Sequence, residues 1–196
     1  MQAAFETLIS TYIENKIGIC NHFISEKLGA YLKINLLALH DRNLLISAGV
    51  GNSEKLTFNK TVRGDSIYWL DRAHADIYET AFLDLIDEFI IYLNVTCYAG
   101  ITGCEFHYTL YEAGSFYTKH FDQFQNNTKR KFSMISYLND KWKPIDGGQL
   151  VVHQLNSTEE ISPTNGKTIF FKSNELEHEV LLTTERRVSI TGWLTS

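Results

Sequence analysis

Apolar residues in the first hundred positions recur at intervals of three and four, the period of an amphipathic helix. This spacing predicts a first helix through Phe5, Leu8, Ile9, Tyr12 and Ile13. A second helix is predicted in "ISEKLGAYLKINLLAL", with Ser25 as its N-cap. A third is predicted in "ETAFLDLIDEFIIYLN", where one face carries Phe82, Leu85, Ile86, Phe89 and Leu93. We interpret these stripes as core packing.

The pattern changes after Glu105, where short apolar and alternating runs follow one another. The runs are "EFHYTLY", "KFSMISYL", "GQLVVHQL", "TIFFKS", "HEVLLT" and "RVSITGWL". Turn signals such as Asp146-Gly147-Gly148 and Asn165-Gly166 separate them. Short strands at regular spacing are typical of a β-sandwich or barrel. Helices followed by strands predict an α+β fold, with helices packed on one face of a β barrel.

Composition narrows the class of protein. The 196 residues carry a formal net charge of -5, which argues against broad nucleic-acid binding because such binding needs a basic field. No stretch reaches the ~20 apolar residues of a membrane helix, and the N-terminus does not resemble a secretory signal. The three cysteines show no C-x-x-C spacing, so they indicate neither a disulfide framework nor a zinc ribbon. We expect a cytoplasmic protein without nucleic-acid or membrane partners.

A histidine and an aspartate lie two positions apart in "FYTKHFDQF", as His120 and Asp122. In an extended segment such residues face the same side, roughly 6.6 Å apart. A third candidate, His178, opens the run "HEVLLT". Two histidines and one carboxylate on one face of a metal are the ligand set of non-haem Fe(II) oxygenases, and they leave positions open for a co-substrate and dioxygen. The sequence therefore predicts an iron site on these three residues.

An arginine, Arg187, follows nine positions after the third ligand. A strand, a tight turn and a returning strand would bring its guanidinium beside the pocket. The planar fork of an arginine matches a carboxylate, and the distal carboxylate of 2-oxoglutarate would need such a partner. Arg186 is the alternative, but in a strand its side chain would face the other way.

Each of these residues has an ordinary structural interpretation when it is taken singly. The histidines could be packed or edge residues, the aspartate a turn residue and the arginine a surface charge. The order and spacing of all four together favour the metal site. Two further histidines in predicted strands, His107 and His153, are interpreted as structural because neither has a carboxylate at ligand spacing.

From Arg63 to Trp193 the chain carries a series of motifs in a fixed order. They read "RGDSIYWLD", "YEAGSFYTKHFD", "SYLNDKW", "GGQL", "HEV" and "RRVSITGW". In this order they resemble the motifs of the 2-oxoglutarate-dependent prolyl hydroxylases of the Egl-nine type, which include the hypoxia-inducible-factor hydroxylases and their bacterial relatives. The resemblance covers about two thirds of the chain.

The resemblance implies a double-stranded β-helix (jelly-roll) core with the N-terminal helices packed on one face. It implies a single domain over 1–196, with a helix-rich support and substrate loop in 1–100 and the catalytic core in 101–196. The implied cofactors are Fe(II), 2-oxoglutarate and O₂, with ascorbate as a supporting reductant. Iron would lie on His120, Asp122 and His178. The 2-oxoglutarate pocket would consist of Arg187 and Tyr137 at the distal carboxylate, Tyr111 at the metal end, and Thr191 and Trp193 at the far wall. Barrel packing is the alternative for these last four residues.

The resemblance also places "RGDS" in a mobile loop over the active site. Asp65 is then expected to pair with Arg130, which stands where the family carries a substrate-side arginine. As an exposed pair it would contribute only ~0.2–1 kcal/mol of stability, and its role would be to order the loop around a peptide. Arg63 and the nearby "SAGVGN" turn would belong to the same lid or form a plain surface turn.

The expected function is hydroxylation of a prolyl residue in a protein or peptide, with release of succinate and CO₂. Asp122 favours hydroxylation over halogenation, since a halogenase keeps that coordination position for chloride. One alternative is the same chemistry on a free amino acid or small metabolite. An alternative of another class is a barrel that binds metal or ligand as a sensor without turnover. The substrate's identity and the oligomeric state stay open.

Overall fold

The computed structural model describes residues 1–49, 62–123, 128–155 and 157–196. It confirms the three predicted helices, which are α1 Gln2–Asn15, α2 Glu26–Asp41 and α3 Ile77–Cys97. Ser25 caps α2 as predicted, because its hydroxyl accepts the N–H of Leu28. Asp76 caps α3 in the same way. None of the helices in these ranges is long and apolar enough to cross a membrane.

Eleven strands lie in the described residues. They are β1 Gly18–Cys20, β2 Ile46–Ser47, β3 Asp65–Trp69, β4 Gly103–Tyr111, β5 Tyr117–His120, β6 Arg130–Tyr137, β7 Leu150–Gln154, β8 Ser157–Ile161, β9 Thr168–Lys172, β10 Glu177–Val180 and β11 Arg187–Thr195. The six predicted runs correspond to β4, β6, β7, β9, β10 and β11. The sequence did not predict the other five because they are short or largely polar, as "YTKH" in β5 and "STEEI" in β8 show.

The strands form two antiparallel sheets. The large sheet has the order β1-β9-β6-β11-β4-β3-β2 and the small sheet the order β5-β10-β7-β8. The chain crosses from the small sheet to the large sheet between β10 and β11. The expected returning strand is therefore β11, which begins at Arg187 and belongs to the opposite sheet from the strand that carries His178.

Because successive side chains point to opposite faces of each strand, the core has two parts. The helix-side core lies between the helices and the large sheet; it includes Leu8, Leu36, Phe89, Phe106 and Ile190. The inter-sheet core lies between the two sheets; it includes Tyr137, Leu150, Val152, Ile169 and Phe171. Each fully buried side chain of this size stabilises the fold by about 1.5–3 kcal/mol. The helices thus cover one face of the large sheet, and its other face is free to line a cavity.

Candidate active site

The structure brings the three predicted metal ligands together at one end of the small sheet. His120 ends β5 and His178 lies directly opposite it on β10, while Asp122 follows just beyond the end of β5. Nε2 of His120 is 3.5 Å from Oδ1 of Asp122, and Nε2 of His178 is 3.7 Å from Oδ2. The candidate ligand atoms all lie within 4.8 Å of one another, which is close enough to share one ion.

Backbone carbonyls orient both imidazoles. Nδ1 of His120 donates to the carbonyl of Thr118 at 2.7 Å, and Nδ1 of His178 donates to that of Leu176 at 3.2 Å. Because a carbonyl only accepts, the proton belongs on Nδ1 and the Nε2 lone pairs are left for the metal. The ring of Tyr117 stacks on His120 with centroids 3.6 Å apart, which fixes the plane of that imidazole.

The protonation states suit a metal. Burial lowers the pKa of His178 to about 4, so this imidazole is neutral at pH 7. Burial acts to raise the pKa of Asp122, but the neighbouring His178 and His120 lower it by more, so this carboxyl is ionised. Two imidazole nitrogens and one anionic oxygen are the donor set of a non-haem Fe(II) centre, so the residues present fit this ion.

A cavity of about 320 Å³ extends from these ligands between the two sheets. Arg187, the first residue of β11, lines it and is only 2% exposed. Its Nε donates to the carbonyl of Gly148 at 2.9 Å. Gly148 has a φ of +64°, and a Cβ there would lie 3.0 Å from Cδ of Arg187. The second glycine of "GGQL" therefore leaves the space that the arginine side chain occupies.

Two tyrosines flank the guanidinium. The Cζ atom of Arg187 is 5.0 Å from the ring centroids of both Tyr111 and Tyr137. Burial raises the pKa of each tyrosine, so both stay neutral hydroxyl donors. In the described part of the chain the buried hydroxyl of Tyr137 finds no hydrogen-bond partner. A buried cation beside an unpaired buried donor fits a carboxylate, which is what the distal end of 2-oxoglutarate would supply.

Replacing Tyr137 with phenylalanine should separate ligand binding from stability. The melting temperature should stay the same or rise, because the substitution removes a buried donor that has no protein partner. The KM for 2-oxoglutarate should rise about tenfold, because a hydrogen bond to a charged group is lost. Tyr108→Phe is the matched control, since its hydroxyl bonds Asn35 at 3.2 Å on the helix side; it should lose stability and keep KM. An unchanged KM in Tyr137→Phe would remove this tyrosine from the pocket.

Thr191 and Trp193 also line the cavity, from the face of β11 that carries Arg187. Trp193 is 7% exposed, and its Nε1 has no hydrogen-bond partner among the described residues. The guanidinium of Arg130 lies 3.3 Å over the indole. Thr191 and Trp193, the two predicted far-wall residues, thus lie on the cavity. Arg130, the arginine predicted to meet the substrate, also lies on it.

The expected pairing of Asp65 with Arg130 is wrong. Asp65 instead accepts Nε and Nη2 of Arg63, at 2.7 and 2.6 Å, because residues two apart on an extended segment share a side. Arg130 donates from Nε to Glu105 at 2.6 Å. Asp65 is also buried, at 3% exposure, so its ion pair is not the exposed one that was expected.

The segment predicted to form a lid lies only partly within the described residues. Arg63 lines the cavity, and its Nη1 donates to the carbonyl of Gly49 at 3.3 Å. Its Cζ lies 4.3 Å from the ring centroid of Tyr117, the tyrosine that stacks on His120. Residues 50–52 of the "SAGVGN" turn lie outside the described residues.

The remaining candidates from the sequence, one arginine and two histidines, lie in three different places. Arg186 points outward and forms a two-bond pair with Glu112. His153 on β7 pairs with Glu179 on β10 at 2.9 Å. Glu179 is next to His178 in sequence, so its side chain lies on the opposite face of β10 from the metal ligands. His107, which we interpret from the sequence as structural, is buried and lines the cavity. His107 and Tyr111 are four residues apart on β4, so their side chains lie on the same face. This spacing could have indicated that His107 lines the cavity.

The fold and the site together resemble those of the non-haem Fe(II) dioxygenases that depend on 2-oxoglutarate. A family model described as "2OG-Fe(II) oxygenase superfamily" matches residues 106–195. Over these residues the chain is thus similar to the 2OG-Fe(II) oxygenase superfamily, and within it to prolyl 4-hydroxylases.

Relatives support this placement. Human Egl nine homolog 1 is 27% identical over 201 residues, which cover 91% of this chain and 44% of the human protein. The chain thus spans about half the length of the curated relatives it matches. A Pseudomonas putida prolyl-4-hydroxylase structure is 28% identical, with a TM-score of 0.87 over 97% of this chain and 98% of that one. A Trichoplax adhaerens prolyl hydroxylase, in complex with a hypoxia-inducible-factor oxygen degradation domain peptide fragment, is 23% identical with a TM-score of 0.88, over 99% and 90%. The jelly-roll prediction is therefore confirmed.

Proposed function

We propose that this protein is an Fe(II)- and 2-oxoglutarate-dependent hydroxylase that oxidises a prolyl residue in a protein or peptide and releases succinate and CO₂. The observation that carries the proposal is the shared cavity: the ligand set His120–Asp122–His178 and the buried fork of Arg187 line the same space. A protein that only binds a metal has no need of a carboxylate-binding fork.

The residues of the chain have distinct roles in this chemistry. His120, Asp122 and His178 would hold the iron, while Arg187 and Tyr137 would hold the distal carboxylate of 2-oxoglutarate. When bound, iron and the keto acid supply the oxidising chemistry that uses O₂ to place one oxygen atom on a C–H bond. The rest of the wall keeps water away from that chemistry. Residues on it include Trp193, Tyr111, Ile135, Leu150 and Val180.

The mouth of the cavity favours a peptide over a small metabolite. Three apolar side chains line the cavity and also reach solvent, namely Ile46 at 60%, Trp69 at 41% and Phe121 at 47% exposure. Apolar side chains left exposed beside a binding cavity are typical of a surface that a partner covers. The Trichoplax relative, which shares the fold, is described with a peptide bound, and the same mode is proposed for this chain.

A search for the product tests the proposal. Iron-loaded protein, 2-oxoglutarate, ascorbate and O₂ are incubated with a cell lysate, and the proteins are examined by mass spectrometry for a new site heavier by one oxygen atom. We expect the added oxygen on a proline. Oxidation of free amino acids alone would favour the metabolite alternative, and consumption of no 2-oxoglutarate would favour the sensor alternative.

Three further expectations remain proposals. We propose that residues 1–196 act as one domain, that O₂ and a reductant such as ascorbate complete the cofactor set, and that the protein works in the cytoplasm on a protein partner. Asp122 would take the coordination position that a halogenase would give to chloride, which supports hydroxylation as the outcome.

A further inference from the structure

His107 stands in the wall of the cavity and has no part in holding iron or 2-oxoglutarate. It lies on β4, opposite Thr191 of β11 and Trp69 of β3. Its ring centroid is 5.0 Å from that of Trp69 and 5.6 Å from that of Trp193. The imidazole is therefore a polar group set between two indoles, and it is 3% exposed.

The hydrogen bonds of His107 define which nitrogen is free. Nδ1 is 3.1 Å from the carbonyl oxygen of Tyr108 and 3.0 Å from Oγ1 of Thr109. A carbonyl only accepts, so Nδ1 carries the hydrogen and Nε2 carries a lone pair. Burial lowers the pKa of His107 to about 4, so the ring is neutral at pH 7. In the described ranges Nε2 has no protein partner.

The ring that carries Nε2 lines the cavity, and an N–H of a ligand there could donate to this nitrogen. The same wall contains the Nε1–H of Trp193, a buried donor that also lacks a partner in the described chain. A neutral acceptor suits an N–H donor, whereas a carboxylate has no hydrogen to donate to it. In a prolyl substrate the target residue has no N–H of its own, so the nearest backbone donor towards the C-terminus is the N–H of the next residue.

We propose that His107 is a substrate-binding residue whose Nε2 accepts the backbone N–H of the residue that follows the oxidised one. The inference rests on the proposed function and deepens it, because it makes the substrate a peptide. A free amino acid carries a carboxylate at that place, which has no N–H to donate to Nε2. The subsite therefore favours an amide over a free carboxylate.

The test compares two forms of one substrate. The proline-containing peptide that gains an oxygen atom in the lysate experiment is synthesised with an amide after the target residue, and again with an ester there, which lacks the N–H. Wild-type turnover of the amide form establishes the proposed function by itself. The ratio of kcat/KM between the two forms then reports only on the subsite at His107.

We expect the wild type to lose about tenfold in kcat/KM on the ester, the size of one hydrogen bond. His107→Leu should lose about tenfold on the amide and nothing further on the ester. His107→Gln should recover part of the discrimination, because its side-chain oxygen can accept near the position of Nε2. His153→Leu, which removes the outward histidine paired with Glu179, should keep the wild-type ratio.

A structural role for His107 would give a different pattern, with the amide and the ester slowed equally and the melting temperature lowered. That result would overturn the proposal, as would equal wild-type turnover of the two peptides or oxidation of free amino acids alone. If His107→Leu does not fold, the ratio measured in His107→Gln and in the wild type decides.

Discussion

Replacing Asp122 with alanine is expected to abolish succinate release that depends on substrate, with a loss of more than about 100-fold. Removing an outer partner of a metal ligand already reduces affinity or activity by about 10- to 100-fold, and Asp122 is itself the anion of the ligand set. Its oxygens lie 3.5 and 3.7 Å from the two Nε2 atoms. Without it, two imidazoles would have to hold a divalent ion alone.

Metal binding can be followed without turnover. Fe(II) added without oxygen should raise the melting temperature of the wild type, because an ion that binds only the folded state stabilises it. The same addition should leave Asp122→Ala unchanged. Glu179→Ala is the control, since this carboxylate is next to His178 in sequence but pairs with His153 on the other face of β10; it should respond as the wild type does. Full turnover by Asp122→Ala would refute the iron assignment.

The sequence predicted the helices well because their signals are local. The spacing of Phe82, Phe89 and Leu93 required only the 3.6-residue period, and Ser25 is a cap whose partner, Leu28, is three residues away. The alternating strands β4, β6 and β11 could be predicted for the same reason. Neighbours along the chain decide such elements, and a single sequence contains those neighbours.

Pairing between distant segments could not be predicted in this way. β5 carries His120 but reads "YTKH", so nothing apolar marks it as a strand. The position of His120 directly opposite His178 depends on how β5 and β10 align within the small sheet. The metal site was still predicted because residue types at the right spacing indicate a ligand set even when the strands that carry them are unknown.

The partners of the charged residues show the same limit. Arg63 and Arg130 both line the cavity, and the sequence offers Asp65 to either of them. Arg63 pairs with Asp65 because the two side chains lie on the same side of an extended segment. Arg130 pairs instead with Glu105 on β4. The position of His107 on the cavity could not be predicted for a related reason: it depends on which space its face of β4 lines, and the absence of a carboxylate at ligand spacing does not reveal that.

Replacing Arg187 with methionine is expected to raise the KM for 2-oxoglutarate by about 100-fold or more. Two charge-assisted hydrogen bonds from the fork to a carboxylate contribute about 1.5–3 kcal/mol each. Arg187→Lys keeps the charge but not the planar fork, so an intermediate rise of about tenfold is expected. If the carboxylate is held equally in the ground and transition states, kcat should change little.

The neighbouring arginine gives a matched control for this prediction. Arg186 has the same chemistry one position earlier, but its guanidinium bonds Glu112 at the surface, so Arg186→Met should leave the KM for 2-oxoglutarate unchanged. Arg187→Met should also lose some stability, because the carbonyl of Gly148 loses its donor. The shift in melting temperature caused by 2-oxoglutarate, measured without oxygen, separates this effect from binding. The shift should vanish in Arg187→Met and persist in Arg186→Met; the reverse pattern would place the co-substrate carboxylate elsewhere.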